Sequence, residues 1–157
     1  MKTRAFSLVE VTAALGIASF CIIAVFGLLP TGLNSNKAAI EQTAATNLLT
    51  AIDADLRAAP NTAPGGTAQA SPQFGIEIPA AGGTTTPQGN PVKVFVAEDG
   101  RVVSDAAAAR YLLSVWMTPP STTREATLVR LLLSWPASAA ADKAAGSVDT
   151  VIALNRN

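Results

Sequence analysis

The chain lacks the residues on which many enzymes and metal sites depend. Its 157 residues include no histidine and a single cysteine, Cys21. Without histidine, neither imidazole acid–base chemistry nor a histidine metal site is available. One cysteine forms no disulfide within the chain and no multi-cysteine metal centre. Eleven basic residues balance eleven acidic ones, so the strongly basic surface typical of nucleic-acid binding is absent. We therefore expect no cofactor, no metal and no nucleic-acid partner.

Known catalytic and nucleotide-binding patterns are missing as well. Neither a P-loop nor a dinucleotide-binding glycine pattern occurs, and Gly82-Gly83 lies in a turn-rich stretch. Asp53 and Asp55 are two residues apart, so on a helix they point in different directions and do not form a carboxylate pair. The sequence predicts that the chain is not an enzyme.

A long apolar run follows the N-terminus. No charged residue occurs from Val11 to Leu29, and a helix of that length crosses about 30 Å of hydrocarbon. Lys2 and Arg4 precede it, which predicts a cytoplasmic N-terminus and an exported remainder. Glu10 stands at the head of the run, and an ionised carboxylate facing lipid near the bilayer centre costs about 2.5–3.5 kcal/mol. An acid in such a segment indicates a function and a partner.

The residues around this acid carry a family resemblance. The stretch Ala5-Phe6-Ser7-Leu8-Val9-Glu10-Val11 resembles the prepilin-type cleavage and methylation signal of type IV pilins and type II secretion pseudopilins. The resemblance implies that a prepilin peptidase cuts between Ala5 and Phe6 and methylates the new N-terminus at Phe6. It also implies that Glu10 pairs with the N-terminal amine of a neighbouring subunit. Ala5 departs from the glycine that usually precedes the cut but keeps a small side chain.

Two further stretches resemble minor subunits of such filaments. Gly27-Leu28-Leu29-Pro30-Thr31-Gly32-Leu33 and Ser134-Trp135-Pro136 are most similar to minor pilins or pseudopilins, in particular the B protein of prepilin-like cassettes described in Verrucomicrobia. The family implies a structural subunit that is stored in the bacterial inner membrane, contacts its lipid, and joins other pilin or pseudopilin subunits in a filament. Two alternatives stay open. One is a filament-tip module that binds a surface, DNA or an exported substrate, and the other is a signal-anchored periplasmic protein that never enters a filament.

The predicted organisation has three parts. Residues 1–5 form a cytoplasmic leader, residues 6–33 a transmembrane and filament-core helix, and residues 34–157 an exported pilin-like domain. The exported domain includes the amphipathic half of the helix and is expected in the periplasm or outside the cell.

Glycine and proline interrupt the helical pattern at its outer end. Gly27, Pro30 and Gly32 predict a kink or a short unwound stretch, because proline removes a helical hydrogen bond. The polar cluster from Asn34 to Asn36 is typical of a new helix start. Beyond it, apolar residues recur every four positions and predict a helix with one buried face: Ile40, Ala44, Leu48, Ile52 and Leu56, widened by Ala45 and Leu49.

Alternating and β-branched segments follow the helix and predict a sheet. Asp99-Gly100, between Val92–Ala97 and Arg101–Val103, is a strong hairpin signal. Further strands are predicted at four places: Phe74–Ile78, Tyr111–Met117, Ala126–Trp135 and Val148–Leu154. The fold class is therefore α+β and pilin-like: a long N-terminal helix, transmembrane in its first half and amphipathic in its second, packs on a small antiparallel sheet.

Two tryptophans, Trp116 and Trp135, lie in these predicted strands. Packing in the core or on a sheet face is the simpler interpretation, and stacking against a ligand such as carbohydrate or nucleic acid is the alternative. No basic cluster surrounds either tryptophan, which argues against nucleic acid.

Overall fold

A computed structural model describes residues 7–60, 68–121, 125–140 and 143–155 of the chain. Contacts divide the chain into two units, Met1–Ile40 and Glu41–Asn157. The predicted α+β class is confirmed, because a long N-terminal helix packs on a small antiparallel sheet. Among the described residues the elements are, in chain order, α1 (Leu8–Ala58), β1 (Gln69–Ala70), β2 (Glu77–Ile78), β3 (Val92–Val96), β4 (Val102–Val103), β5 (Tyr111–Thr118), β6 (Thr127–Trp135) and β7 (Gly146–Leu154).

Helix α1 begins directly after Ser7, whose carbonyl accepts hydrogen bonds from the backbone N–H groups of Glu10 and Val11. It continues to Ala58 without a break and contains Pro30 in its interior. The predicted unwound stretch and the second helix start at Asn34–Asn36 are therefore wrong. Proline removes one backbone hydrogen bond, and the helical turns on both sides of it persist. A bend of the helix axis at Pro30 stays a prediction.

Five strands form one antiparallel sheet in the order β4-β3-β5-β6-β7, while β1 and β2 form a separate two-stranded ribbon. The predicted hairpin is confirmed, since Phe95 pairs with Val103 and Val96 with Val102. Gly100 closes its turn with a φ of 83°, a conformation that glycine adopts without steric cost.

The core lies between α1 and one face of the five-stranded sheet. Helix α1 contributes one buried stripe: Ala45, Leu49, Ile52 and Leu56. The sheet contributes alternate residues of its central strands: Val96, Leu113, Val115, Met117, Val129, Leu131 and Leu133. The predicted stripe is wrong at its start, where Ile40 and Ala44 are exposed. A strict four-residue spacing advances about 40° too far at each step, so it leaves the buried face of a 3.6-residue helix.

The predicted strand Phe74–Ile78 is a strand only at Glu77–Ile78. The backbone N–H groups of Gln73 and Phe74 donate to the Asp55 carboxylate at 2.9 and 3.0 Å. The Ile76 N–H donates to Ser71 Oγ at 3.2 Å. These donors are therefore occupied by side chains and are lost to a sheet.

Candidate functional site

The first part of α1 is the most unusual surface of the molecule. Every residue from 7 to 40 is exposed within the chain, including Leu15, Phe20 and Phe26. Among the described residues this is the one helix long and apolar enough to cross a membrane, by length and composition. An apolar surface of this extent is typical of a segment covered by lipid or by other protein.

Glu10 lies in the first turn of this helix. A carboxylate is favourable there, because the helix dipole is positive at the N-terminus. Glu10 borders a shallow, open hollow along the helix that is otherwise lined by apolar side chains: Val11, Ala14, Leu15 and Ala18. The side chains of the two alanines are small, so the backbone of another helix can approach closely on that side. The hollow therefore combines a helix-packing surface with a single charge.

The other residues of the predicted site are placed as follows. Ala5 and Phe6 lie outside the described residues, so cleavage and methylation stay predictions. Gly27, Pro30 and Gly32 lie inside α1 and are exposed. A Cβ added at Gly27 or Gly32 meets nothing within 4 Å, so no contact with a described residue requires glycine at these positions.

A second candidate site is a cleft on the sheet face opposite α1. Trp116 of β5 is half-buried there, and its Nε1 donates to the backbone carbonyl of Gln88 at 2.9 Å. Arg130 of β6 lies over the indole, with its Cζ 5.3 Å from the ring centroid. The cleft has a volume of about 560 Å³ and is also lined by Thr85, Thr86, Pro87, Thr118, Leu128 and Val151.

Asp149 of β7 compensates the charge of this cleft. Arg130 Nε and Nη2 donate to Asp149 Oδ2 at 3.1 and 2.5 Å. These hydrogen bonds, together with the charge of Asp149, raise the pKa of Arg130. The pair fixes the guanidinium over Trp116 and leaves the cleft without an unpaired cation among the described residues that line it. A phosphate-rich ligand finds little attraction there.

Trp135 is a core residue, so packing is confirmed for this tryptophan. Its ring meets Tyr111 edge-on, with centroids 6.2 Å apart, and its Nε1 donates to Glu41 Oε2 at 2.9 Å. Arg110 donates to the other oxygen of Glu41. The pairing of Glu41 with Trp135 and Arg110 was not predicted from the sequence. No spacing signal reveals it, because the partners are 69 and 94 residues away in sequence.

Comparison with known proteins finds no match for this chain. No family model, no curated protein and no solved structure matches the chain. The N-terminal motif and the two surfaces described above are therefore the features that point to a function.

Proposed function

We propose that the chain is a structural, minor subunit of a type IV pilus-like or type II secretion-like filament. In this proposal, prepilin peptidase cuts it between Ala5 and Phe6 and it assembles through its N-terminal helix. The observation that carries the proposal is the first part of α1, where every residue from 7 to 40 is exposed. Glu10 is the only charged residue in this stretch before Lys37. The neighbouring unit, Glu41–Asn157, has a core of its own, so the helix is left for contacts outside the chain.

The same helix serves two environments in this proposal. Before assembly it anchors the chain in the inner membrane, with the leader in the cytoplasm and the second unit exported. In the filament, helices of neighbouring subunits replace lipid. Lipid tails are as apolar as leucine, so exchanging them for protein gains little from the hydrophobic effect, and close packing and polar contacts drive association.

Glu10 supplies the specific contact of assembly. A carboxylate surrounded by apolar helices is tolerated when it is paired and hydrogen-bonded, and such a pair fixes register more than it adds affinity. The N-terminal amine that cleavage creates at Phe6 of a neighbouring subunit is the complementary charge. Cleavage is thus required for pairing, since it creates the amine.

Replacement of Glu10 tests this assignment. Glu10→Ala is expected to be cleaved normally, as judged by the mass of its N-terminal peptide, but to be depleted from purified filaments. Glu98→Ala removes an exposed acid from the second unit and serves as the matched control, with normal incorporation. Unchanged incorporation of Glu10→Ala would remove the pairing argument.

The Trp116 cleft favours a second function, in which the exported unit binds a ligand at a filament tip. Its volume of about 560 Å³ lies within the usual range for ligand pockets. Trp116, Leu128 and Val151 give it an apolar part, and three threonines, Thr85, Thr86 and Thr118, are among its lining residues. With Arg130 neutralised by Asp149, this chemistry suits a neutral, hydroxylated ligand such as carbohydrate better than DNA.

Binding of the full chain in nanodiscs to a glycan array tests this second function. Trp116→Ala is expected to abolish the signal, whereas Val92→Ala, an exposed apolar position outside the cleft, keeps it. Absence of any glycan signal, or equal signals from both variants, contradicts carbohydrate binding. Preference for duplex DNA contradicts the charge argument.

A further inference from the structure

The two edges of the five-stranded sheet differ in length and protection. At one edge, β4 is two residues long and pairs with β3 at only two positions. At the other edge, β7 is nine residues long and pairs with β6 along its full length without a break. No described strand pairs with the outer side of β7. A regular edge of this kind presents a row of backbone donors and acceptors to a further strand.

Strand β7 lacks the features that usually protect an edge. Natural edge strands carry lysine, proline, a bulge or a cover to prevent pairing with another chain. The sequence of β7 contains no lysine and no proline. Its one charged residue, Asp149, is engaged by Arg130, and Val151 is 64% exposed. Within the part of the chain that the structure describes, this edge is therefore without net charge, rich in β-branched residues and not covered by another strand.

A groove lies beside this edge, between β7 and the part of α1 in the second unit. Its volume is about 290 Å³, and its walls include Leu49, Val148 and Ile152. Two of the polar groups along it are already engaged: the Thr50 hydroxyl donates to the Thr46 carbonyl at 3.0 Å, and Asp53 accepts from Arg57 Nε at 2.9 Å. The groove therefore suits small, uncharged side chains.

We propose that β7 accepts an extended segment of another polypeptide chain as the sixth strand of the sheet. Backbone hydrogen bonds to β7 supply affinity, and alternate side chains that enter the groove supply selectivity, as in other cases of strand addition. The segment that fits has small or β-branched apolar residues at every second position. This interface belongs to the second unit and does not depend on assembly through the N-terminal helix.

A second copy of the chain is a poorer occupant. The β4 edge of a second copy is only two residues long, so it could pair with little of the nine-residue strand β7. Antiparallel pairing of β7 with β7 brings the two Asp149 carboxylates to nearby positions. Each is paired with its own Arg130 but remains 41% exposed, so the like charges still face each other at a cost. A different chain is therefore favoured.

Peptide binding to the full chain in nanodiscs tests the proposal. The probe is a fluorescent peptide as long as β7, nine residues, with alternating valine and threonine and a lysine at each end. Fluorescence anisotropy is expected to show saturable binding. Thr50→Lys, which places a long charged side chain in the groove, is expected to weaken binding about tenfold, the effect of losing one well-packed contact. Ala51→Lys, at an exposed neighbouring position outside the groove, should bind as the unmodified chain does.

Backbone modification of the peptide separates strand addition from nonspecific apolar binding. N-methylation of every second residue blocks the hydrogen bonds of one strand edge, so one of the two possible methylation patterns should bind much more weakly than the other. Thermal unfolding of both lysine variants checks that the sheet is intact. Three results would overturn the proposal: no saturable binding, equal binding by the two variants, or equal binding of both methylated peptides. Self-association of the chain that Thr50→Lys abolishes would also overturn it, because the occupant would then be a second copy.

Discussion

Leu15 and Leu131 are both leucines in regular secondary structure, yet Leu15 in the first unit is 62% exposed and Leu131 in the second is fully buried. The second unit covers its apolar residues with its own helix and sheet. In the first unit, no described residue covers the stretch from 7 to 40. The stability of the first unit in a cell therefore depends on the lipid or protein around the chain. The stability of the second unit depends on the packing of its own core.

The largest expected effect comes from removing core volume. Leu131→Ala should lower the free energy of unfolding of the second unit by about 2–5 kcal/mol, because lost burial and a residual cavity add. Leu15→Ala, the matched change in the first unit, should alter it by less than about 0.5 kcal/mol. Urea titration of the full chain in nanodiscs, followed by the fluorescence of Trp116 and Trp135, measures both. Similar losses for the two variants would contradict the separation of the units.

The next effect comes from the buried carboxylate of Asp55. Asp55→Ala leaves the N–H groups of Gln73 and Phe74 without their acceptor and should cost about 3 kcal/mol, the upper part of the range for an unsatisfied buried group. Asp53→Ala removes only an exposed ion pair with Arg57, worth less than about 1 kcal/mol. The same titration compares them. A loss for Asp53→Ala as large as that for Asp55→Ala would be inconsistent with this view of the turn.

A smaller effect is expected from the glycine opposite Trp135. Gly146 pairs with Trp135 across β6 and β7, and a Cβ added there lies 2.3 Å from Trp135 Cζ2. Gly146→Ala should therefore cost about 1–2 kcal/mol through displacement of the indole. Gly16, in the first unit, has nothing within 4 Å of an added Cβ, so Gly16→Ala should leave the second unit unchanged. A shifted tryptophan emission for Gly146→Ala alone is the expected signature, and an unshifted one speaks against the clash.

The smallest effect concerns pH. Hydrogen bonds from Arg101 lower the pKa of Asp99 below its ordinary value of 3.8, the bond from the backbone N–H having the largest effect and the bond from the guanidinium the next largest. A carboxyl group whose pKa is lowered in the folded state stabilises that state at pH values above its ordinary pKa. This stabilisation is lost as the pH falls through the lowered pKa. Asp99→Asn should thus destabilise slightly at neutral pH, and this difference should shrink as the pH falls below the ordinary pKa of 3.8. Glu98→Gln is the control, and a difference that persists in acid would contradict the ion-pair explanation.

The features that could be predicted from sequence are local ones. The Asp99-Gly100 hairpin follows from turn chemistry, and the strands around Leu113 and Leu131 follow from short runs of leucine, valine and aromatic residues. The sequence resemblance around Glu10 is equally local, and the cleavage that it implies stays a prediction. The predicted buried stripe began too early, at Ile40. Residues spaced by exactly four positions stay on one face of a helix for only a few repeats, and the prediction extended the spacing further than that.

The features that escaped prediction are contacts between distant segments. Asp55 binds a turn 18 and 19 residues away, and Glu41 binds Trp135 across 94 residues. The Trp116 cleft requires Arg130 and Asp149 on two further strands, and their register sets the site. Sequence spacing carries no information about such register until the strands are paired. The helix continues through Pro30, since the hydrogen-bonded turns on both sides outweigh the one hydrogen bond that proline removes.

The N-terminal peptide of the chain offers the most direct test of the proposed function. It is to be analysed by mass spectrometry after isolation from cells with and without prepilin peptidase. The account predicts an N-methylated Phe6 as the first residue when the peptidase is present and an uncut leader when it is absent. An intact Met1 in the presence of the peptidase, or a cut after Leu33, would contradict it.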